Sequence, residues 1–224
     1  NSSPAENALI RSYVQTRVER ERAQRGRLGA NRRMLDDFVH SLDRGQMLRG
    51  FADDFGQRGV TLDIAAQGSL AIQAARSGLT RVVLLEDRSP WDTHQSFDLQ
   101  GVLFEQLFGG LHTFMDALKA TPGSTAGHTL LDESLVVVLS EMSRTPLLNA
   151  AGGKDHWPYT SALVINPNLR SGIYGSTDER LEGSPVDLTT GNASAGGTPL
   201  MAETLIATII QAAGANSDSW LPSV

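Results

Sequence analysis

Carboxylates and histidines cluster at two places in this sequence, and at both they follow a short apolar run. Asp92 and His94 belong to the segment Trp91–His94, which comes after the run Arg81–Leu85. Because side chains two residues apart leave the same face of an extended segment, Asp92 and His94 could hold one metal ion. The competing interpretation is an ordinary loop pair that caps the helix that follows.

The second cluster follows the apolar run Leu135–Leu139. Glu141 and Arg144 come directly after this run, and Asp155 and His156 end a glycine-containing loop. Ligands of open α/β sheets bind at the carboxyl ends of strands. Glu141 and His156 are therefore candidate metal ligands, and Arg144 is a candidate catalytic residue that holds an anionic group in bidentate fashion. A structural ion pair between Glu141 and Arg144 is the alternative.

Asp155 is a second candidate catalytic residue, ranked lower because in an extended loop it would point away from His156. A serine hydrolase built on Ser140 or Ser143 with His156 is disfavoured, since neither serine lies in a nucleophile turn. The chain has no cysteine, which excludes thiolate ligands and disulfides. A site of imidazole nitrogens and carboxylate oxygens favours zinc, manganese or iron over calcium or magnesium.

The apolar runs must be placed by the fold so that these side chains meet. Both Arg81–Leu85 and Leu135–Leu139 are rich in β-branched residues, which is typical of strands buried on both faces of a parallel sheet. The helical stripe of Ser96–Lys119 predicts a crossover helix between them, and Ser161–Ile165 predicts a third strand. The predicted fold class is α/β, with a largely parallel central sheet flanked by helices.

Composition and length limit the possible partners. The 224 residues fit a charged helical arm over residues 1–30 and one α/β domain over residues 31–224. The net charge of -6 argues against non-specific nucleic-acid binding. Nor is there an apolar run near the roughly 20 residues that a spanning helix needs, so no membrane span is predicted.

Two motifs carry a resemblance to a known family. The segment WDTH, at Trp91–His94, is followed by a helix and then by SLVVVLSEMSRTPLLNAAGGKDHWP, at Ser134–Pro158. This arrangement resembles the bacterial domain-of-unknown-function family 1501, which belongs to the alkaline phosphatase/sulfatase superfamily. The similarity extends from about Arg49 to the C-terminus and is densest between Trp91 and Pro158.

The resemblance implies a function for the candidate residues. By analogy with the superfamily, Asp92, His94 and His156 would serve one divalent ion and Glu141 a second. The implied activity is hydrolysis of phosphate or sulfate esters, with an anionic small-molecule ester as substrate. The resemblance also implies export across a bacterial inner membrane, so we expect a periplasmic or secreted protein.

The sequence also departs from the superfamily pattern. Nothing before Arg81 resembles the strand that supplies the superfamily's nucleophile, and Met142-Ser143 replaces a Phe-Gly pair common in the family. The chain therefore resembles the C-terminal part of such a protein. Because a sheet lacking a strand exposes apolar edges, we expect a second polypeptide to complete it. The alternative function is a non-catalytic subunit of a secreted or cell-envelope complex that kept the fold and a partial site.

Overall fold

The computed structural model of the protein describes residues 3–25, 29–58 and 63–212. The chain divides into two compact units, residues 1–87 and residues 88–224. The described part of the first unit contains three helices, and that of the second contains two helices and four short strands. The division into an arm over residues 1–30 and a domain over residues 31–224 stays a prediction.

The first unit begins with an antiparallel pair of long helices. Helix α1 spans Pro4–Arg25 and helix α2 spans Gly29–Arg58. Two ion pairs join them, Arg11–Asp43 and Arg22–Asp36. The earlier residue of α1 pairs with the later residue of α2, as in an antiparallel pair. Both helices are strongly charged, so most of their surface is polar and α1 buries little beyond Val18.

Helix α3 of the first unit, Ile64–Arg76, has clear signals at both ends. Asp63 caps its start, because the Asp63 carboxylate accepts a hydrogen bond of 3.0 Å from the Ala65 N–H. Its end is followed by Gly78 with φ of +70°, the left-handed conformation that glycine adopts at helix ends. A short extended piece predicted over residues 59–62 lies outside the described residues.

The segment Arg81–Leu85, predicted as a buried strand, has no assigned strand among the described residues. Val82 and Leu84 are 81% and 92% exposed. The residue after this segment, Glu86, is held by the Gln67 side chain of α3. The Gln67 amide nitrogen donates to the Glu86 carbonyl at 2.9 Å, and the Gln67 amide oxygen accepts from the Glu86 N–H at 3.0 Å. An apolar run forms a stable strand only where a neighbouring strand pairs with its backbone.

Helix α4, Leu99–Ala120, organises the second unit. It occupies the region predicted as a helix over Ser96–Lys119. Its core-facing residues recur at helical spacing and form one apolar stripe. The buried apolar side chains of this stripe are Leu103, Leu111, Phe114, Met115 and Leu118.

The described strands of the second unit form two antiparallel pairs. Strand β1, Val136–Val138, pairs with β4, Leu163–Ile165, and Val137 faces Val164. Strand β2, Ser143–Arg144, pairs with β3, His156–Trp157. Each strand has only two or three residues. The largely parallel central sheet stays a prediction, because these short pairs do not amount to a central sheet.

The last helix in the described part of the second unit is α5, Ala202–Ala212, on which Ala207 is 1% exposed. Between β4 and α5 the chain forms turns around Val186, which is 3% exposed and pairs in isolated bridges with Ala193 and Thr198. Across the described parts of the chain, no helix combines the length and apolar character needed to cross a bilayer, as predicted.

Candidate metal centre

The segment Trp91–His94 is held in place by the first turn of α4. Gln100 is buried, and its side-chain amide donates to the Thr93 hydroxyl at 2.8 Å and to the Trp91 carbonyl at 3.2 Å. Thr93 is itself 4% exposed. Because Thr93 is turned inward, its neighbours Asp92 and His94 are left beside each other, with a distance of 2.7 Å from Asp92 Oδ1 to His94 Nδ1.

The β2–β3 pair brings two further candidate residues to the same place. Arg144 and His156 face each other across this antiparallel pair. Residues directly opposite on antiparallel strands extend from the same face of the sheet. A pair of two-residue antiparallel strands joined by a long loop thus delivers the Arg144 guanidinium and the His156 imidazole together, although the two residues lie 12 positions apart in the sequence.

The loop between β2 and β3 packs on the backbone of Thr93 and His94. The Lys154 N–H donates to the Thr93 carbonyl at 3.3 Å, and the Asn149 side chain donates to the His94 carbonyl at 3.0 Å. Gly153 is buried against this backbone: a Cβ atom at position 153 would lie 2.1 Å from the His94 carbonyl carbon. Only glycine fits there, so the close approach of the two segments depends on it.

Three candidate ligands converge on a single carboxylate oxygen. Asp92 Oδ1 lies 2.7 Å from His94 Nδ1 and 3.4 Å from His156 Nε2. The two imidazole rings have centroids 4.7 Å apart. One donor atom from each of Asp92, His94 and His156 lies within 4.8 Å of the other two. The sequence-predicted ligands from two distant segments therefore share one small site.

Arg144 also contacts this oxygen. Its Nη2 donates to Asp92 Oδ1 at 2.7 Å and to the Trp91 carbonyl at 2.9 Å. Its Nη1 donates to the Lys154 carbonyl at 3.3 Å and lies 3.5 Å from His94 Nδ1. The Arg144 side chain is only 16% exposed, so its charge is fixed beside the candidate ligands.

The local electrostatics keep Asp92 ionised. The pKa of Asp92 is lowered, first by the hydrogen bond from Arg144 and then by the hydrogen bond with His156 and the electrostatic interactions with His94 and Arg144. The Asp92 side chain is 72% exposed. An ionised and accessible carboxylate is the form that a metal ion requires.

Glu141 and Asp155 lie outside the group of three ligands. Glu141 is exposed, and its pKa is lowered because its carboxylate accepts hydrogen bonds from its own backbone N–H and from the Ser140 hydroxyl, the latter at 3.1 Å. The Asp155 carboxylate accepts a hydrogen bond of 2.9 Å from the Asn149 amide, and the Asp155 backbone N–H donates to the Thr145 hydroxyl at 3.1 Å. Asp155 thus stabilises the β2–β3 loop, and the catalytic role expected for it stays a prediction.

Two residues that shape the site were not identified as functional from the sequence. Asn149 accepts from the N–H groups of Ala151 and Gly153 while donating to His94 and Asp155. Gly153 provides the close approach described above. The sequence signal was an asparagine followed closely by the Gly152-Gly153 pair, because asparagine and glycine are typical turn residues.

The group of three ligands suits a transition metal. Two imidazole nitrogens and one carboxylate oxygen are a mixed donor set of the kind that zinc, manganese and iron accept. With metal–ligand bonds of about 2.0–2.2 Å, one ion could contact all three groups after small side-chain adjustments. Asp92, His94 and His156 are therefore the residues that could hold such an ion.

Comparison with known proteins gives a family and no close relative. No curated protein and no solved structure matches the chain. The family model described as "Protein of unknown function (DUF1501)" matches residues 11–221, which include both segments of the candidate centre. The chain therefore belongs to this family of proteins of unknown function.

Proposed function

We propose that the protein is a metal-dependent hydrolase of phosphate or sulfate esters, with Asp92, His94 and His156 as ligands of a divalent ion. The observation that carries this proposal is the convergence of His156 and Asp92, 64 residues apart in sequence, around one carboxylate oxygen. Two imidazole nitrogens and one carboxylate oxygen that meet from separate segments of the chain supply the donor types of a zinc site with mixed N/O ligands.

The chemistry follows from what such a centre supplies. A bound zinc, manganese or iron ion would polarise an ester oxygen and lower the pKa of a bound water. The chain's part is to hold the three ligands at one point through the Thr93–Gln100 contact and the β2–β3 hairpin. The 72% exposure of the Asp92 side chain leaves room for an anionic small-molecule ester.

The finer roles remain part of the proposal. Glu141 would bind a second ion, since it is exposed and follows β1 closely. Arg144 as the holder of the substrate's anionic group, and Asp155 as a catalytic residue, stay predictions. So do membership in the alkaline phosphatase/sulfatase superfamily, correspondence to the C-terminal part of such proteins, and a periplasmic or secreted location.

A second candidate function is a non-catalytic subunit of a secreted or cell-envelope complex. The observation that favours it is exposed apolar surface on predicted strands. In the second unit, Leu139 is 55% exposed, and Leu163 and Val164 of β4 are 42% and 37% exposed. A second polypeptide that pairs with these strands would cover this surface.

Elemental analysis of the natively purified protein tests the first proposal. We expect about one or two divalent ions per chain, as in metal-dependent hydrolases of this type. The double variant Asp92→Ala, His156→Ala should lose the ion, because it removes two of the three ligands.

A matched control for the metal measurement is His112→Ala. His112 is an exposed histidine on α4 that pairs only loosely with Asp116, at 3.4 Å. This variant should keep the full metal content. Native protein without stoichiometric metal would contradict the hydrolase proposal and leave the subunit proposal standing.

A further inference from the structure

The guanidinium of Arg144 lies against the same atoms that a metal ion would need. Its Nη2 contacts Asp92 Oδ1 at 2.7 Å, and its Nη1 is 3.5 Å from His94 Nδ1. The carbonyls of Trp91 and Lys154 hold the guanidinium in this position at 2.9 and 3.3 Å. A fixed positive charge therefore stands next to the ligands of the proposed centre.

The choice of oxygen distinguishes two roles for this arginine. A residue that only oriented Asp92 would best bind the carboxylate oxygen that faces away from the histidines. Arg144 instead binds Oδ1, the oxygen that lies 2.7 Å from His94 and 3.4 Å from His156. An ion bound to Oδ1 would therefore share its donor atom with the guanidinium and lie close to a positive charge.

The charge balance leads to the same role. Asp92 contributes one negative charge to the three ligands, and Arg144 cancels it. A divalent ion entering the group of three ligands would meet a weaker electrostatic attraction than Asp92 alone would provide, because it would lie close to a guanidinium. On this basis we infer that Arg144 lowers the metal affinity of the centre formed by Asp92, His94 and His156. The inference rests on the proposed metal centre.

Titration calorimetry with Zn²⁺ tests this role with two variants. Arg144→Gln removes the charge and keeps polar contacts, so it should bind Zn²⁺ about tenfold more tightly than the unsubstituted protein at moderate salt. Arg144→Lys keeps the charge and gives up the planar hydrogen bonds, so its dissociation constant should stay within about threefold. Arg170→Gln, at an exposed arginine in the loop after β4, serves as the control with unchanged affinity.

Thermal unfolding in the presence of a chelator checks that each variant folds. Equal or weaker Zn²⁺ binding by folded Arg144→Gln would overturn the inference. If this variant does not fold, Arg144→Lys decides: a loss of about tenfold or more would mean that Arg144 orients Asp92, which also overturns the inference. If neither the unsubstituted protein nor the variants bind Zn²⁺, the proposed centre itself fails. If the unsubstituted protein binds Zn²⁺ but Arg144→Gln does not bind it more tightly, only the inferred role of Arg144 is rejected and the proposed centre stands.

Discussion

Asp92 is the residue on which the candidate centre depends, because Arg144 and both histidines contact its Oδ1. The distances from this oxygen to Arg144, His94 and His156 are 2.7, 2.7 and 3.4 Å. The carboxylate lies between the two imidazoles and links them through one atom. The structure therefore gives a physical reason why the carboxylate, rather than either imidazole, is the central ligand of the proposed centre.

Gly153 sets how closely the β2–β3 loop approaches this residue's segment. In Gly153→Ala the new methyl group would lie 2.1 Å from the His94 carbonyl carbon, so the backbone of one segment must move. We expect a destabilisation of about 1–3 kcal/mol, as for other overpacked sites, together with weaker metal binding. Denaturant unfolding and Zn²⁺ titration would measure both effects.

Gly109→Ala is the matched control for this substitution. Gly109 is an exposed residue of α4, and a Cβ atom there meets nothing within 4 Å. Alanine should stabilise the helix by about 0.5–1 kcal/mol. If Gly153→Ala were as stable as Gly109→Ala, the close packing of the loop on His94 would be wrong.

At the scale of elements, hydrogen bonds to main-chain atoms hold the two segments of the site together. Helix α4 fixes Trp91–His94 through Gln100, and the β2–β3 loop is held to the same segment through Asn149 and Lys154. Such hydrogen bonds fix direction as well as distance. Ligands from two separate segments can therefore keep one arrangement although much of their surface is exposed.

The turn that connects α4 to β1 depends on a carboxylate whose charge can be titrated. The Glu133 side chain accepts hydrogen bonds from the Ser124 N–H at 2.7 Å, the Ser124 hydroxyl at 2.8 Å and the Thr125 N–H at 2.6 Å. Hydrogen bonds from the Ser124 and Thr125 backbone are the main cause that lowers the pKa of Glu133 from 4.5 to about 2.

The pH dependence of stability follows from this lowered pKa. A carboxylate with a lower pKa in the folded state stabilises the fold above its unfolded-state pKa of 4.5 and stops doing so as pH falls towards about 2. Glu133→Gln should therefore be less stable than the unsubstituted protein at pH 6, and the difference should vanish near pH 2. Thermal unfolding from pH 6 to pH 2 would measure this.

Glu105→Gln, at an exposed position on α4, is the control for the pH series. Its melting temperature should follow that of the unsubstituted protein throughout. A difference between the Glu133 variant and the unsubstituted protein that stayed constant down to pH 2 would argue against the hydrogen bonds assigned to Glu133.

At the scale of the whole molecule, the parts predictable from sequence are those fixed by local spacing. Helix α4 is predictable because its apolar residues recur every three or four positions. The proximity of Asp92 and His94 is predictable because they are two residues apart. The β2–β3 pairing is not, since strands of two residues have no readable alternation and their register depends on the loop between them.

The predicted sheet depends on information that a local pattern does not contain. Arg81–Leu85 and Leu135–Leu139 are both short apolar runs that predict a strand, yet in the described structure only the second contains one, Val136–Val138, which pairs with Leu163–Ile165. Whether an apolar run becomes a strand is decided by an available partner edge. For the same reason the largely parallel sheet and the second polypeptide expected to complete it stay predictions.

An anomalous difference map from crystals of the protein grown with Zn²⁺ tests the central claim most directly. We predict a zinc peak at bonding distance, about 2.0–2.2 Å, from donor atoms of Asp92, His94 and His156. If crystals grown at a saturating concentration of Zn²⁺ show no peak between these three side chains, or show the ion elsewhere, the result would contradict the proposed metal centre.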